Sequence, residues 1–498
     1  MYGGRAVQHT HKIEWIANSP RFGYNGHVRC LKNRIEGSIC YERKRSSFTS
    51  RIGFVLAAAG SAVGLGNMWR FPYLAAKYGG GAFLITYVLL AVTFGFTLMI
   101  TEVAMGRRTR MSCIEAFGSL NRRFAPLGWL AALIPVIIAP YYCVIGGWVV
   151  KYFVEFVRGN GMAVSSDTYF GDFISMAGSG ILENPLLWFV IFVLLTAVVV
   201  LLGVDTGVEK ASSVMMPVLV LLSVGISVYC TTLPGAAEGL KYYLLPDFAD
   251  FSLTTVLAAM GQLFYSMSLA MGIMITYGSY MKKEDDLESS VGQIEIFDTG
   301  IAFLAGLMIV PAVVAFNGGD ASLIQGKAGP GLMFGVLPKV FESFPLGGAV
   351  GALFFLLVFF AALTSSISLL ETVVSILTDK MRLTRKKATI LSTAGILILG
   401  IPSCLGYGPW GHITVLKMQF LDFFDFISNS VMMPIVAIGT CILVGHVVGS
   451  RYIEEEVESS GTFKRKKMYR IMIRYVAPVM LAAILAGEVL KYFGIISI

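Results

Sequence analysis

The stretch Gly60-Ser-Ala-Val-Gly64-Leu-Gly66-Asn67 lies in the middle of an apolar run over residues 52–76. A run of roughly 20 mostly apolar residues is long enough to cross a bilayer as a helix. Three glycines within seven residues are poor helix formers, and a polar Asn follows them. In hydrocarbon every backbone group needs a partner, so a helix that breaks mid-membrane must line a cavity. A second interruption, Gln262-Leu-Phe-Tyr265-Ser266-Met-Ser268-Leu-Ala270-Met271-Gly272, lies in the segment 254–280. For either one alone, close helix packing through small residues explains the composition as well. Their placement tips the balance. They fall in the first and sixth of eleven apolar segments, and interruptions at matching places in two halves point to an inverted-repeat transporter.

The eleven segments cover 52–76, 80–105, 125–155, 185–204, 211–233, 254–280, 291–318, 349–379, 387–405, 413–446 and 468–495, numbered span one to span eleven. The fold expected is an all-α membrane protein with about eleven transmembrane helices. It would be an inverted five-plus-five repeat with helices one and six broken. Repeat one covers about 52–233 and repeat two about 254–446, and 468–495 is an extra helix. Composition agrees: 56% of the chain is hydrophobic and 14% charged, where a soluble domain has about 25% charge. That excludes an ordinary soluble enzyme, a disordered chain and a disulfide scaffold. Seven cysteines without paired spacing read as free thiols. Residues 1–44 have no apolar run and hold three of the five histidines. They read as a disordered tail or an upstream-start extension, with a cytoplasmic regulatory segment as the alternative, and 45–498 as the transmembrane domain.

The formal charge of +8 is a matter of sidedness, not of nucleic acid. Thirty of the 39 Lys and Arg fall in the N-terminal segment and alternate loops, eight on the other side, and Arg70 inside span one. Cytoplasmic loops carry the basic excess, so the N-terminus is expected in the cytoplasm and the C-terminus outside. Residues 1–44 supply +5 of the +8, leaving a nearly balanced remainder.

An unwound turn exposes carbonyl oxygens that suit a small cation, and half-helix N-termini suit a carboxylate. One broken helix can therefore hold a sodium ion and an amino-acid carboxylate side by side. Ionisable residues inside spans cost roughly 2.5–3.5 kcal/mol each, so each is a functional candidate. Asp298 in span seven has no evident basic partner and is expected to face a cation. Glu102 is better read as satisfying N–H groups freed by a broken helix. Glu371 is equally well a buried packing polar. Arg70 and Asp425 both fall at the outer side and are candidates to pair. Hydroxyls such as Thr364-Ser365-Ser366 often bond back to their own helix, but three in a row facing a break suit a cation-binding edge. Oxygen ligands without a His/Cys cluster favour a hard ion. Outside the first 44 residues the histidines are His412 and His446, near span ends, and no nucleophile set accompanies them, which argues against an intramembrane enzyme.

The run Ser50-Arg-Ile-Gly-Phe-Val-Leu-Ala-Ala-Ala-Gly60 through Asn67-Met-Trp-Arg70-Phe-Pro-Tyr resembles the first helix of the neurotransmitter:sodium symporter family. The likeness continues at Gly79-Gly-Gly-Ala-Phe, Ile138-Ala-Pro-Tyr-Tyr142, Gln262 to Tyr280, Gly329-Pro-Gly-Leu, Thr364-Ser-Ser and Leu421-Asp-Phe-Phe-Asp425, and spans about residues 45–498. The resemblance implies two sodium ions as co-transported ions and no organic cofactor. One ion would be held by the Ala62 carbonyl, Asn67, Ser266, Asp298 and the substrate carboxylate. The other would sit among the Gly60, Val63 and Ala361 carbonyls, Thr364 and Ser365. It implies a substrate pocket of Ser61, Ala62, Leu65, Gly66, Ile138 and Tyr142, with Tyr265, Ser266, Ser268, Met271, Ser365 and Leu369. Tyr142 would bind the carboxylate. Arg70 with Asp425 would be the outer gate, and Arg45 with Asp379, supported by Tyr280, the inner one.

Departures from the family pattern carry information. Phe48 stands where Trp is usual. Asp298 replaces a frequent Asn, and Ala302 lacks the hydroxyl of chloride-dependent members, so chloride independence is expected. Tyr265 replaces a Phe, Ala270 replaces a Gly, and Pro140 is expected to kink span three. Amine carriers of the family have Asp where this chain has Gly64, so the substrate is expected to bring its own carboxylate as a neutral, hydrophobic amino acid. The absence of an Asn-linked glycosylation sequon and a short outer loop after span three suggest a bacterial or archaeal inner (plasma) membrane. Partners expected are that amino acid and the lipid bilayer, no nucleic acid, with a monomer or weak homo-oligomer. A non-transporting amino-acid sensor on the same fold is the alternative.

Overall fold

The structure, a computed structural model, describes residues 28–33, 37–42, 46–248, 251–326 and 329–492. The chain divides into two units, Met1–Ser46 and Ser47–Ile498. In the first, β1 (Val28–Asn33) and β2 (Gly37–Glu42) pair antiparallel with Cys30 opposite Cys40. The rest of the 1–44 segment, and Arg45, lie outside the described residues.

The second unit is helical. Among the described residues, nine unbroken helices are long and apolar enough to cross a membrane. The pair Arg51–Ala62 and Gly66–Lys77, bent by 54°, makes a tenth span. Leu253–Ser266 with Ile273–Tyr280 makes the eleventh. Span two is Gly81–Thr109, span three Arg122–Val157, span four Pro185–Leu202 and span five Val204–Thr231. Spans seven to eleven are Leu287–Phe316, Gly347–Lys380, Arg385–Leu405, Phe420–Val447 and Lys466–Leu490. Membrane-facing sides keep apolar residues exposed. On span four Leu194, Val198 and Leu202, spaced four apart, are 51%, 56% and 62% exposed. This outward stripe is why the sequence is apolar all round, as a helix between protein and lipid must be.

Local chemistry sets the ends and breaks. Span one begins at Ser50, whose hydroxyl accepts from Gly53 N at 3.0 Å. Glu209, at the start of span five, accepts from Thr49 N at 2.7 Å and Ser50 N at 3.2 Å, so a carboxylate sits on the positive end of that helix. The helix stops at Ala62 because Val63 turns extended, with ψ 100°. It resumes at Gly66 in a π-helical turn that carries through Arg70. In span six the helix stops at Ser266, and Ser268, Ala270 and Gly272 take φ of +53°, +62° and +75°. Left-handed backbone suits Gly272 and strains the other two. Span three is one helix from Ala125 to Val157 through Pro135 and Pro140, so Pro140 does not interrupt it.

The connecting segments also form short helices: Cys113–Leu120, Ala236–Leu244, Leu337–Glu342 and Arg451–Glu458. The last is tied down by Arg107, wholly buried at the end of span two. Its Nε meets Glu456 Oε1 at 2.7 Å, and its Nη1 donates to the Asp285 carbonyl at 2.7 Å. Lys283 joins the same carboxylate at 2.8 Å. Desolvation holds the Lys283 ammonium below its ordinary range, against the pull of Glu456.

Candidate functional site

The two interruptions meet. Between them and spans three and eight lies a cavity. Its wall from span one is Ser61, Ala62, Gly64, Leu65, Gly66 and Asn67. Span three adds Ile138 and Tyr142, and span six adds Tyr265, Ser266, Ser268, Met271 and Ile273. Span eight closes it with Ser365, Ser368 and Leu369. All twelve residues expected in the pocket line this one cavity. Gly64 is there because nothing larger fits: a Cβ would stand 2.9 Å from Ser365 Oγ and 3.0 Å from Tyr142 Oη. Tyr142 Oη accepts from Leu65 N at 3.3 Å, and the Ser365 hydroxyl is its side-chain hydrogen-bond neighbour. The phenol stands at the cavity wall, where it can turn its proton to an anion.

On one side of the break, oxygens from three spans converge. Asn67 Nδ2 donates to Asp298 Oδ1 at 2.8 Å, and Ser266 Oγ donates to the same atom at 2.7 Å. Asn67 Oδ1 accepts from Gly64 N at 3.1 Å and Ser266 Oγ at 3.2 Å. Tyr87 donates to Asp298 Oδ2 at 3.4 Å. Asp298 is wholly buried, and its partners here are neutral. On the other side, Ser365 Oγ lies 3.4, 3.2 and 3.3 Å from the carbonyls of Gly60, Ser61 and Val63. Thr364 Oγ1 donates to Phe360 O at 2.9 Å and Ala361 O at 3.1 Å, which is the back-bonding the sequence also allows. Of the residues expected around the two ions, Asn67, Ser266 and Asp298 meet on one side of the cavity, and Ser365 meets the Gly60 and Val63 carbonyls on the other.

The gate residues are placed differently. The direct pair expected between Arg70 and Asp425 is not made. Arg70 lies over the Tyr265 ring, 5.7 Å from its centroid. Asp425 Oδ1 accepts from Tyr141 Oη at 3.0 Å and Asn429 Nδ2 at 2.6 Å. Both donors fall on Oδ1, and Arg70 acts on the carboxylate through charge without a direct contact. At the inner side Asp379 accepts from Ser112 N at 2.9 Å, and Arg45 lies outside the described residues. Tyr280 donates to Glu371 at 2.8 Å, and its carbonyl accepts from Phe48 N at 3.1 Å.

The arrangement has known counterparts. Residues 45–161 and 161–495 match the profile of the sodium:neurotransmitter symporter family. The chain belongs to the sodium:neurotransmitter symporter family. It is 34% identical over 463 residues to the uncharacterized sodium-dependent transporter YhdH of Bacillus subtilis, covering 92% of this chain and 99% of that protein. It is 26% identical over 504 residues to the sodium- and chloride-dependent GABA transporter 2 of Macaca fascicularis, covering 93% and 81%. Among solved structures it is similar to MhsT in complex with L-phenylalanine, at 34% identity and a TM-score of 0.79, covering 89% of this chain and all of that one. The protein is an integral membrane, sodium-dependent transporter of a family of transporters, not enzymes.

In this symporter two intramembrane acids have their partners within the protein. Glu102 Oε1 accepts from Ala270 N at 2.7 Å, satisfying an amide freed by the break in span six. Glu371 pairs with Arg385 at 2.5 and 3.0 Å, and Arg385 also caps span four by donating to Val200 O at 2.8 Å. Two cavity residues escape sequence reasoning, Ile273 and Ser368. Ser368 lies three residues after Ser365 and one before Leu369, so the shared helical face was the available signal.

Proposed function

We propose that this symporter imports a neutral, mostly apolar α-amino acid together with two sodium ions, independently of chloride, by alternating access across an inner (plasma) membrane. The observation that carries the reading is one cavity bounded by the Tyr142 hydroxyl and flanked by two oxygen clusters, built where both broken helices expose backbone. The substrate carboxylate would take the Tyr142 proton and complete the shell of the sodium at Asn67, Ser266 and Asp298. Ion and substrate then favour the same conformation, which is what coupling requires. Walls of Leu65, Ile138, Met271 and Leu369 suit an apolar side chain, and the L-phenylalanine of the MhsT complex supports that class. Chloride independence rests on Asp298 supplying a fixed negative charge where Ala302 offers no hydroxyl. In this reading Arg70, Asp425 and Tyr265 close the outer side, Arg45, Asp379 and Tyr280 the inner, with a cytoplasmic N-terminus and a monomer or weak homo-oligomer.

Uptake of the twenty amino acids into proteoliposomes, with and without an inward sodium gradient, tests this. Sodium-driven accumulation of apolar amino acids in chloride-free buffer is expected. Accumulation of none of them, or strict chloride dependence, overturns the reading.

A further inference from the structure

The cavity floor is polar in one sense only. Ser61, Ser268 and Ser368 line it from spans one, six and eight, and are 3%, 6% and 0% exposed. A serine hydroxyl has one proton to give and two lone pairs to accept with. Ser368 gives its proton to Ser365 O at 2.8 Å. Ser61 Oγ and Ser368 Oγ are 2.7 Å apart, so Ser61 is the donor of that pair, with Ser268 Oγ at 3.3 Å as its second acceptor. Ser268 donates to Ser61 O at 2.9 Å. All three protons are spent inside the protein, and what remains toward the cavity is acceptor lone pairs. Ser266 and Ser365 likewise donate into the protein, at 2.7 Å to Asp298 and 3.2 Å to Ser61 O.

We propose that Ser61, Ser268 and Ser368 are specificity residues whose acceptor-only floor favours a neutral amino acid with an apolar side chain carrying one O–H or N–H over its hydrocarbon-like isostere. This rests on the amino-acid transport reading above and names the substrate class within it. The discrimination is modest for a physical reason. The three serines satisfy one another, so an isostere without a donor leaves no buried proton unpaired and forfeits only the net value of a hydrogen bond. A side chain that offers only acceptors, such as a carboxylate, finds no proton at this floor. The α-ammonium competes for the same lone pairs, so a valid comparison keeps it constant.

The test uses pairs matched in shape: threonine against valine, and tryptophan against 3-benzothienylalanine, in which sulfur replaces the indole N–H. Affinities are read from ligand-induced shifts in melting temperature of the full-length, detergent-purified protein in sodium, which needs no flux. Within each pair that binds, the donor-bearing member is expected to bind about three- to tenfold tighter. In Ser368→Ala the Ser61 hydroxyl loses its nearer acceptor and keeps only Ser268 Oγ at 3.3 Å, so its proton can also turn to the cavity and the ratio is expected to fall toward one. Ser61→Ala, which removes the donor from the same pair, is the second variant should the first fail to fold, and it too is expected to change the ratio. Equal or inverted affinities in the wild type, or ratios unchanged in both variants, overturn the proposal while leaving amino-acid transport standing. Absence of a shift with these four ligands and all twenty natural amino acids overturns the amino-acid reading, and this proposal with it.

Discussion

Asn67 spends its amide on Asp298 and its carbonyl oxygen on Gly64 N and Ser266, so one short side chain ties the break in span one to spans six and seven. Removing it leaves Asp298 with hydroxyl donors only. Asn67→Ala is expected to abolish sodium-dependent uptake in proteoliposomes, and unchanged uptake would refute the ion site assigned to it. Asp298→Ser removes the fixed charge and is expected to make uptake rise when chloride replaces gluconate; a chloride-indifferent variant contradicts the charge argument. At Gly64 an added methyl meets Ser365 Oγ and Tyr142 Oη at about 3 Å, so Gly64→Ala must push the tyrosine aside. A displacement of this kind is expected to raise the half-saturating substrate concentration by roughly tenfold or more. Gly64 and Asn67 were legible because break, polar neighbour and glycine are adjacent in sequence, and Asp298, 231 residues on, because it is an acid inside an apolar span. Ser368 was not, since its role depends on Ser61, 307 residues away. Likewise Tyr141 and Asn429 donate to Asp425 while Arg70 acts on it through charge at longer range, a division that charge alone does not reveal.

At the scale of elements, hydropathy located the spans because each must bury or expose apolar surface over a full bilayer thickness. The disagreements sit where local hydrogen bonding decides. Span ten was expected from 413 but begins at Phe420, because Val415 and Met418 bridge one another in a turn. Span five begins at Val204, not 211, because Asp205 and Glu209 belong to its π-helical first turn and Glu209 serves the neighbouring helix end. The break in span six depends on a carboxylate from another element. Glu102→Ala would leave the Ala270 amide buried without its acceptor, a loss of about 1–3 kcal/mol. A lower melting temperature for Glu102→Ala, largely restored in Glu102→Gln, is the expected result; equal melting of wild type and Glu102→Ala would contradict it.

For the whole molecule, Arg107 joins span two, the segment after span six and the helix Arg451–Glu458 in one buried contact. Breaking a buried ion pair from one side costs about 3–5 kcal/mol because the other charge stays behind. Arg107→Ala is therefore expected to lower thermal stability more than any single change among the exposed basic residues, and more still when combined with Lys283→Ala, which leaves Glu456 without either cation. Sidedness was read from charge counts alone and has its own check. Cys113, Cys143, Cys230, Cys404 and Cys441 are buried, so labelling of an introduced exposed thiol is read against the wild type. Lys386→Cys should react with impermeant maleimide only from the cytoplasmic side and Ser166→Cys only from the outside.

The two half-helices of span one end on opposite sides of the same gap, one presenting carbonyls and the other amides. A zwitterion is the natural complement of that pair of ends, and a zwitterion is electrically invisible. With the amino acid proposed above as cargo, the membrane voltage acts on the co-transported ions and the protein's own charges, and not on the substrate. Over a complete cycle the protein returns to where it began, so the electrical charge moved per amino acid counts the sodium ions, less any ion carried back. Measured as a reversal potential, that quotient gives the coupling ratio, and with it the steepest amino-acid gradient the cell can hold.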